Sequence, residues 1–297
     1  MNRAWIKKYS LILLMIFISA GVKAQDFQPF LFEFIPATDI VQSSKNSQNK
    51  LNIEVTRLSI GEVIPTIYCR KNSKILYGIR YDLLYLNYDN WNFLSDEPEY
   101  LHFIRNEFTI IHDISGNWQI TGLVNIGLAT DLKEKISWDD IHIHAYTYLS
   151  NVTFPDVGYG FGIIYTSDFG SPLFLPLIQG YWKPSKQFRF EFFIPKNASF
   201  WYIPNKSSEM GIKSMVYGNQ YHLGNYTPNG NNANLNYSVI SLGPVIKHRI
   251  FSCFFLVAEA GYTLHRRFEI KDSDFSEKFN PDNNYYLRAG LIFRPRK

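Results

Sequence analysis

An all-β fold, an antiparallel transmembrane β-barrel of about twelve strands, is what this sequence predicts, and three observations carry the prediction. The first 24 residues read as a secretory leader, and almost everything after residue 51 alternates with a period of two. The alternating segments are also longer and more aromatic than the strands of an ordinary soluble sheet. Strand boundaries read this way are good to a few residues, which places the count at roughly ten to fourteen.

The leader comes first. Arg3, Lys7 and Lys8 precede an apolar run from Leu11 to Ala20, and Val22-Lys23-Ala24 completes the pattern of a signal peptide cut after Ala24. The apolar run is about half the ~20 residues a spanning helix needs, so residues 1–24 are expected to be removed on export. Neither cysteine, Cys69 or Cys253, lies at the cut, which excludes a lipid anchor there, and two are too few for a disulfide framework. Residues 25–50 end in a polar stretch with Ser43, Ser44, Asn46, Ser47 and Asn49 and read as a polar lead-in; the barrel domain is expected over 51–297.

The strands follow in order. After a weaker run over 51–69, residues 75–87 put Ile75, Tyr77, Ile79, Tyr81, Leu83 and Tyr85 on one face and Gly78, Arg80 and Asp82 on the other. Residues 100–113 are weaker; residues 117–129 set Trp118, Ile120, Val124, Ile126 and Leu128 against Gln119, Thr121 and Asn125. Runs at 139–149, 158–168 and 172–183 lead to Phe188, Phe190, Phe192 and Ile194 opposite Arg189 and Glu191. After 208–223 and 234–249, residues 253–264 alternate Phe254, Leu256, Ala258, Ala260 and Tyr262 with Cys253, Val257, Glu259 and Gly261. The last strand, 285–293, carries Tyr285, Leu287, Ala289, Leu291 and Phe293 on one face and Arg288 on the other. The connectors 113–118, 167–172, 182–187 and 248–252 are short, while 95–99, 224–234 and 271–284 are long and polar.

Alternation alone fits a secreted β-sandwich as well as a barrel. Residues 75–87 and 253–264 alternate for the length a membrane strand needs, ~9–11 residues or more, rather than the ~5–6 of a soluble strand. The second faces carry Arg80, Asp82, Arg189, Glu191, Glu259 and Arg288 at mid-strand, as the lumen side of a membrane barrel does. Tyr285 and Phe293, like Phe254 and Tyr262, sit eight residues apart on one face. At ~3.3 Å per residue and a ~40° tilt that spans ~20 Å, near the ~25 Å apolar band flanked by aromatic girdles.

Leader, polar lead-in, long Tyr- and Phe-rich strands and a terminal amphipathic strand together resemble the small outer-membrane β-barrel proteins of Gram-negative bacteria, in particular their uncharacterised families. The segment from Gly158 to Pro204 carries their succession of glycine-rich strand, Pro-bounded strand and a strand ending in Ile194-Pro195-Lys196. The resemblance implies a place in the outer membrane, contact with its lipid and lipopolysaccharide, and insertion by the barrel-assembly machinery. The sequence departs from that pattern at its end, where Arg294-Pro295-Arg296-Lys297 follows the terminal Phe293.

Function is less legible. The net charge of +4 is spread thinly, which excludes a nucleic-acid partner, and no cofactor motif occurs. The six lumen charges are balanced and suit a salt-bridged plug more than a pore with one sign of charge. His142 and His144 share a strand face, a spacing that could chelate a metal with Asp140 on the same face as a third ligand; lining a lumen or lying near a loop accounts for them equally. His222 and His265 near strand ends are the candidates for an enzyme acting on lipid or cell-wall material, though no nucleophile motif accompanies them. Arg266 and Arg267 form a short basic patch suited to lipopolysaccharide phosphates. The expected role is a structural or solute-binding barrel, or a narrow channel.

Overall fold

In the computed structural model, residues 27–42, 51–70, 72–89, 97–224, 232–272 and 276–294 are described, and their strands join into one sheet that closes on itself. β1 (Phe27–Gln42), β2 (Leu51–Arg70), β3 (Ser73–Asp89), β4 (Tyr100–Ser115) and β5 (Trp118–Thr130) follow one another as antiparallel neighbours. A 3-10 turn (Trp138–Asp140) leads into β6 (Ile141–Phe154), then β7 (Val157–Thr166), β8 (Leu173–Trp182), β9 (Phe188–Ile194) and β10 (Asn197–Asn205). β11 (Ser208–Leu223), β12 (Ala233–Arg249) and β13 (Phe254–Lys271) are long again, and the short β14 (Ser276–Pro281) precedes β15 (Tyr285–Phe293).

The two ends of the chain close the wall. Phe293 of β15 lies opposite both Phe254 of β13 and Phe27 of β1. β14 occupies the same slot further along, with Phe279 opposite Phe268 of β13 and Gln42 of β1. Among the described residues, fourteen strands close the barrel and β14 is an additional segment.

The sequence reading of about twelve strands is therefore short by β1 and β10. Residues 25–50 do not form a separate lead-in: residues 27–42 are the first wall strand, because Leu31, Glu33 and Ile35 alternate inward against outward Phe30 and Phe32. The polar stretch that followed masked this apolar start. β10 escaped because the reading ended its strand at Ile194-Pro195-Lys196 and left residues 197–205, which turn back after only those two residues, without a strand of their own. The signal peptide lies outside the described residues. Most short connections gather at the end of the barrel that holds Phe27 and Phe293, but 167–172 and the two-residue turn Pro195-Lys196 lie at the opposite end with the longer connections 90–99, 131–140 and 224–232.

Two aromatic pairs mark the rims of an outward apolar band. Tyr262 and Tyr285 meet edge to face with ring centroids 5.4 Å apart, and Phe254 and Phe293 lie at 5.2 Å. Between these levels the outer wall exposes Phe32, Ile60, Ile79, Ile104, Phe161, Phe190, Ile212, Ile246, Leu256 and Leu287, a continuous greasy belt. Soluble monomers rarely expose an apolar patch of that extent. Within the belt the inward residues are charged.

Toward the loop end the polarity turns inside out. On β11 the inward positions change from Glu209 and Lys213 to Tyr217, Tyr221 and Leu223, and the outward ones from Met210 and Ile212 to Gln220 and His222. On β2, Arg57 and Ser59 face inward within the belt, with Ile53 and Val55 taking their place beyond it. Where the outside is apolar the inside must be polar, and where water surrounds the wall the ordinary rule of an apolar interior returns.

The geometry changes at the same level. The β9–β10 hairpin reaches only as far as Ile178 on β8 and Met215 on β11, so the rest of β11 leaves β10. It comes instead against β5, where His222 and Thr130 form a parallel contact and the Asp131 amide donates to the His222 carbonyl at 3.3 Å. Beyond the belt the wall thus narrows to β1–β5, β11–β13 and β14. Ile35, Val55, Leu86, Leu101, Tyr221, Leu235, Val239, Phe268, Ile270 and Phe279 fill it as a packed core, all from those strands. Gly218 permits the loop 167–172 to lie against β11: a Cβ there would stand 2.5 Å from the Asp168 carbonyl oxygen.

Candidate functional site

Two constellations of polar side chains are built by this arrangement, one inside the belt and one outside the narrowed section. Inside, neighbouring strands carry a ladder of alternating charge. Glu259 of β13, Arg288 of β15, Glu33 of β1 and Arg57 of β2 are successive register partners. Arg288 donates to Glu259 at 2.7 Å and is ion-paired with Glu33, and all three side chains are 2% exposed or less. Tyr286 donates to Glu259 at 2.7 Å and Tyr217 donates to Glu33. Lys213 of β11 approaches Glu259 from the side at 3.7 Å.

The ladder continues through Asp82, which accepts from Arg57 at 3.1 Å and faces Arg105 at 3.4 Å. Arg105 and Arg80 share Glu107, at 3.0 and 3.8 Å. A cavity of about 200 Å³ lies against it, with Arg57, Arg80, Arg105, Lys213 and Arg288 on its walls. Arg189 belongs to a separate group nearer the turn end, where it meets Glu191 at 2.7 Å and Glu209 at 2.9 Å; Arg294 meets Glu209 at 2.6 Å. Of the six charges singled out in the sequence, Arg80 and Asp82 share one part of the ladder, Glu259 and Arg288 another, and Arg189 and Glu191 stand apart. Sequence reading missed Glu33, Arg57, Arg105 and Glu209. Glu33 was legible, an acid in phase with Leu31 and Ile35 inside the otherwise apolar run Phe30–Ile35.

Outside the narrowed section, the outer face of β11 looks across at the inner face of β6 where β6 has outrun β7. Their facing walls form a cleft of about 530 Å³, to which Trp138, His142, Ser167, Gln220, His222 and Asn234 contribute. His222 Nδ1 lies 3.0 Å from Asp140 Oδ1. The other Asp140 oxygen accepts from the Ser137 amide at 2.6 Å and from its hydroxyl at 3.2 Å, the capping box of the 3-10 turn. A carboxylate only accepts, so Nδ1 carries a ring proton, and in the neutral ring Nε2 holds the lone pair on the far side. Burial opposes ionisation of Asp140, yet the Ser137 amide, the His222 ring and the Thr130 hydroxyl hold its carboxyl below the usual carboxylate range.

His142 and His144 share the inward face of β6, both buried, each with an Nε2 that no protein group satisfies. His144 Nδ1 lies 3.1 Å from the Thr166 hydroxyl, which donates to Asp168 at 2.7 Å; Lys196 pairs with Asp168 at 2.6 Å. Asp140 therefore turns to His222 and Ser137 rather than joining the two histidines as a third ligand. Among the described residues no group of three or more His, Cys, Asp or Glu has metal-holding geometry. His265 lies exposed at a bulge of β13, opposite Ile240 and apart from this cleft. Arg266 is not a surface cation: it points inward and is 3% exposed, bonded to the Thr38 hydroxyl and, at 3.1 Å, the Asp282 carbonyl. The bulge at Leu264 shifted the phase and misled the alternation. Arg267 does face outward, paired with Glu269. Cys253 is a free thiol; the side chain of Cys69 lies outside the described residues.

A family model described as Domain of unknown function (DUF6268) matches residues 20–294. Among curated proteins, none matches the sequence. Three solved structures show the general likeness. The TodX monoaromatic hydrocarbon channel deltaS2 mutant is 8% identical over 93% of this chain and 91% of its own, at a TM-score of 0.38. The NanC porin is 11% identical over 89% and 100%, at 0.36. The translocator domain of the autotransporter NalP from Neisseria meningitidis is 9% identical over 98% and 96%, at 0.34. At such scores the likeness decides nothing further.

Proposed function

This chain belongs to the family described as Domain of unknown function (DUF6268), and from that premise we propose that it is an outer-membrane barrel with a closed lumen that binds a small amphiphilic solute. The observation that carries the reading is the packed core beyond the belt. Side chains such as Tyr221, Leu235, Val239 and Phe268 fill the narrowed section from wall to wall, all 5% exposed or less. A pore needs a continuous polar path, and this interior offers water none. The belt supports the membrane placement: its height between the two aromatic pairs matches a lipid-facing band, and every mid-belt charge turns inward.

The signal peptide read in the sequence and the assembly of the barrel by insertion machinery are part of the same proposal. The cleft beside the narrowed section is the place for a ligand, since it combines polar walls with an apolar flank. The test is conductance in planar bilayers. The native chain is expected to be silent, and Tyr221→Ala combined with Phe268→Ala is expected to open stepwise currents. Steady conductance of the native protein would overturn the closed-lumen reading, and recovery in the soluble periplasm would overturn the membrane placement.

A further inference from the structure

We infer that the cleft hydrolyses a carboxylic ester of an acylated amphiphile, with His222 as the general base and Asp140 as its positioning residue. This rests on the membrane placement proposed above and goes beyond it by assigning chemistry. Three observations meet at one place. The Asp140–His222 contact at 3.0 Å fixes the ring with Nδ1 toward the carboxylate and Nε2 toward the cleft. His142 lines the same cleft, is 7% exposed, and has an Nε2 with no protein partner. Finally, the cleft opens beside an apolar rim: Trp138 is 87% exposed and Ile136 62%, with Ile143 and Phe174 continuing the belt upward on this side of the wall.

A buried acid–base pair that borders a polar cleft is the arrangement from which active sites are built. An exposed tryptophan on a loop costs solubility unless it meets lipid, and indole sits well at the lipid–water boundary. The boundary between polar cleft and apolar rim is also where the ester group of an acyl lipid lies, between headgroup and chain. The chemistry of the walls thus selects an amphiphile whose chains run along Trp138 and Ile143 while its ester carbonyl enters the cleft.

The reaction balances without a cofactor. His222 Nε2 takes a proton from a water molecule, and the water oxygen forms a bond to the ester carbonyl carbon. The tetrahedral species then breaks its bond to the alkoxy oxygen, which recovers the proton from His222. The products are a carboxylic acid, ionised at neutral pH, and an alcohol; Asp140 stays ionised throughout and stabilises the transient imidazolium.

The experiment uses the full-length protein refolded in detergent, with two substrates in separate arms: mixed micelles of diacyl phosphatidylethanolamine, and purified lipopolysaccharide. Release of free fatty acid is measured. Turnover in either arm is expected and identifies which acyl source fits. His222→Gln is expected to lower kcat at least ~100-fold, the usual scale of general-base catalysis. Asp140→Asn is expected to lower kcat ~10-fold or more with KM unchanged, with partial rescue in Asp140→Glu; a merely structural role would move both constants or neither. Trp138→Ala, at an exposed site, is expected to raise KM and spare kcat. Heat-modifiable migration confirms that each variant is folded. No release above the His222→Gln background in both arms overturns the inference. Lipid binding is read in parallel by quenching of Trp138: binding without turnover sinks the hydrolysis alone, and loss of both sinks the amphiphile reading as well.

Discussion

Replacing Arg288 by methionine tests the charge ladder where the first and last strands meet. The guanidinium is 2% exposed and lies between Glu33 and Glu259, whose side chains are 0% and 1% exposed. Methionine fills most of the volume, so the perturbation is electrostatic rather than a cavity. It leaves two buried carboxylates facing each other across β15. Glu259 keeps Tyr286 at 2.7 Å and Lys213 at 3.7 Å, and Glu33 keeps the Tyr217 hydroxyl, so neither is stripped bare. Breaking one side of a buried pair costs about 3–5 kcal/mol because a charge is stranded. At a urea slope of about 2–3 kcal/mol per M, a loss of about 4 kcal/mol lowers the unfolding midpoint by about 1.3–2 M. The assay is urea unfolding of the folded protein in phospholipid vesicles, followed by tryptophan fluorescence. The triple variant Arg288→Met, Glu33→Gln, Glu259→Gln removes the stranded charges and is expected to recover most of the loss. A midpoint for Arg288→Met within about 0.3 M of the native protein would refute the reasoning, as would a triple variant no better than the single.

Other outcomes follow from the same geometry. Leu287 faces outward at mid-belt, 58% exposed, so Leu287→Arg is expected to cost about 2–4 kcal/mol in vesicles. Asn52→Arg, on the water-facing part of β2, is expected to cost nothing measurable, and equal costs would contradict the placement of the belt. Gly261 makes room for Tyr286: a Cβ there would stand 2.3 Å from the Leu242 carbonyl oxygen and 2.8 Å from the Tyr286 ring. Gly261→Val is therefore expected to destabilise by about 1–3 kcal/mol in the same unfolding assay, and an unchanged midpoint would show that the strands yield. The carboxyl of Asp140 is held below its ordinary value of 3.8. Its support of the 131–140 loop is present above that pH and lost below it, as the pH falls through the lowered folded value. Hydrogen exchange at the Ser137 amide, corrected for its intrinsic pH dependence, should show protection above pH 4 that fades below. Protection unchanged in Asp140→Ala would disprove the capping role.

Alternation was enough to establish the class of fold and the two faces of most strands. The phase of Ile75–Tyr85, Phe188–Ile194, Phe254–Tyr262 and Tyr285–Phe293 could be read directly, because a period of two has a single geometric meaning in an extended chain. It also marked Arg80, Asp82, Glu259 and Arg288 as inward, since charge on the opposite phase would meet the belt. The strand count fell short at β1 and β10 for local reasons: a polar tail hid one, and the other, starting straight after the two-residue turn Pro195-Lys196, was left without a strand of its own. Arg266 was misplaced because a bulge adds one residue and shifts the phase of everything beyond it.

The change of cross-section came from the closure of the sheet and from no local pattern. Nothing near His222 in the chain says that β11 abandons β10 and comes against β5, because that depends on how short a different hairpin, β9–β10, happens to be. The same step inverts which face of β11 is buried, closes the lumen with Tyr221 and Phe268, and carries His222 to Asp140, 82 residues away in sequence. Alternation records which side of a strand a residue lies on. Whether that side is the inside, and what stands opposite, is set by closure of the whole sheet.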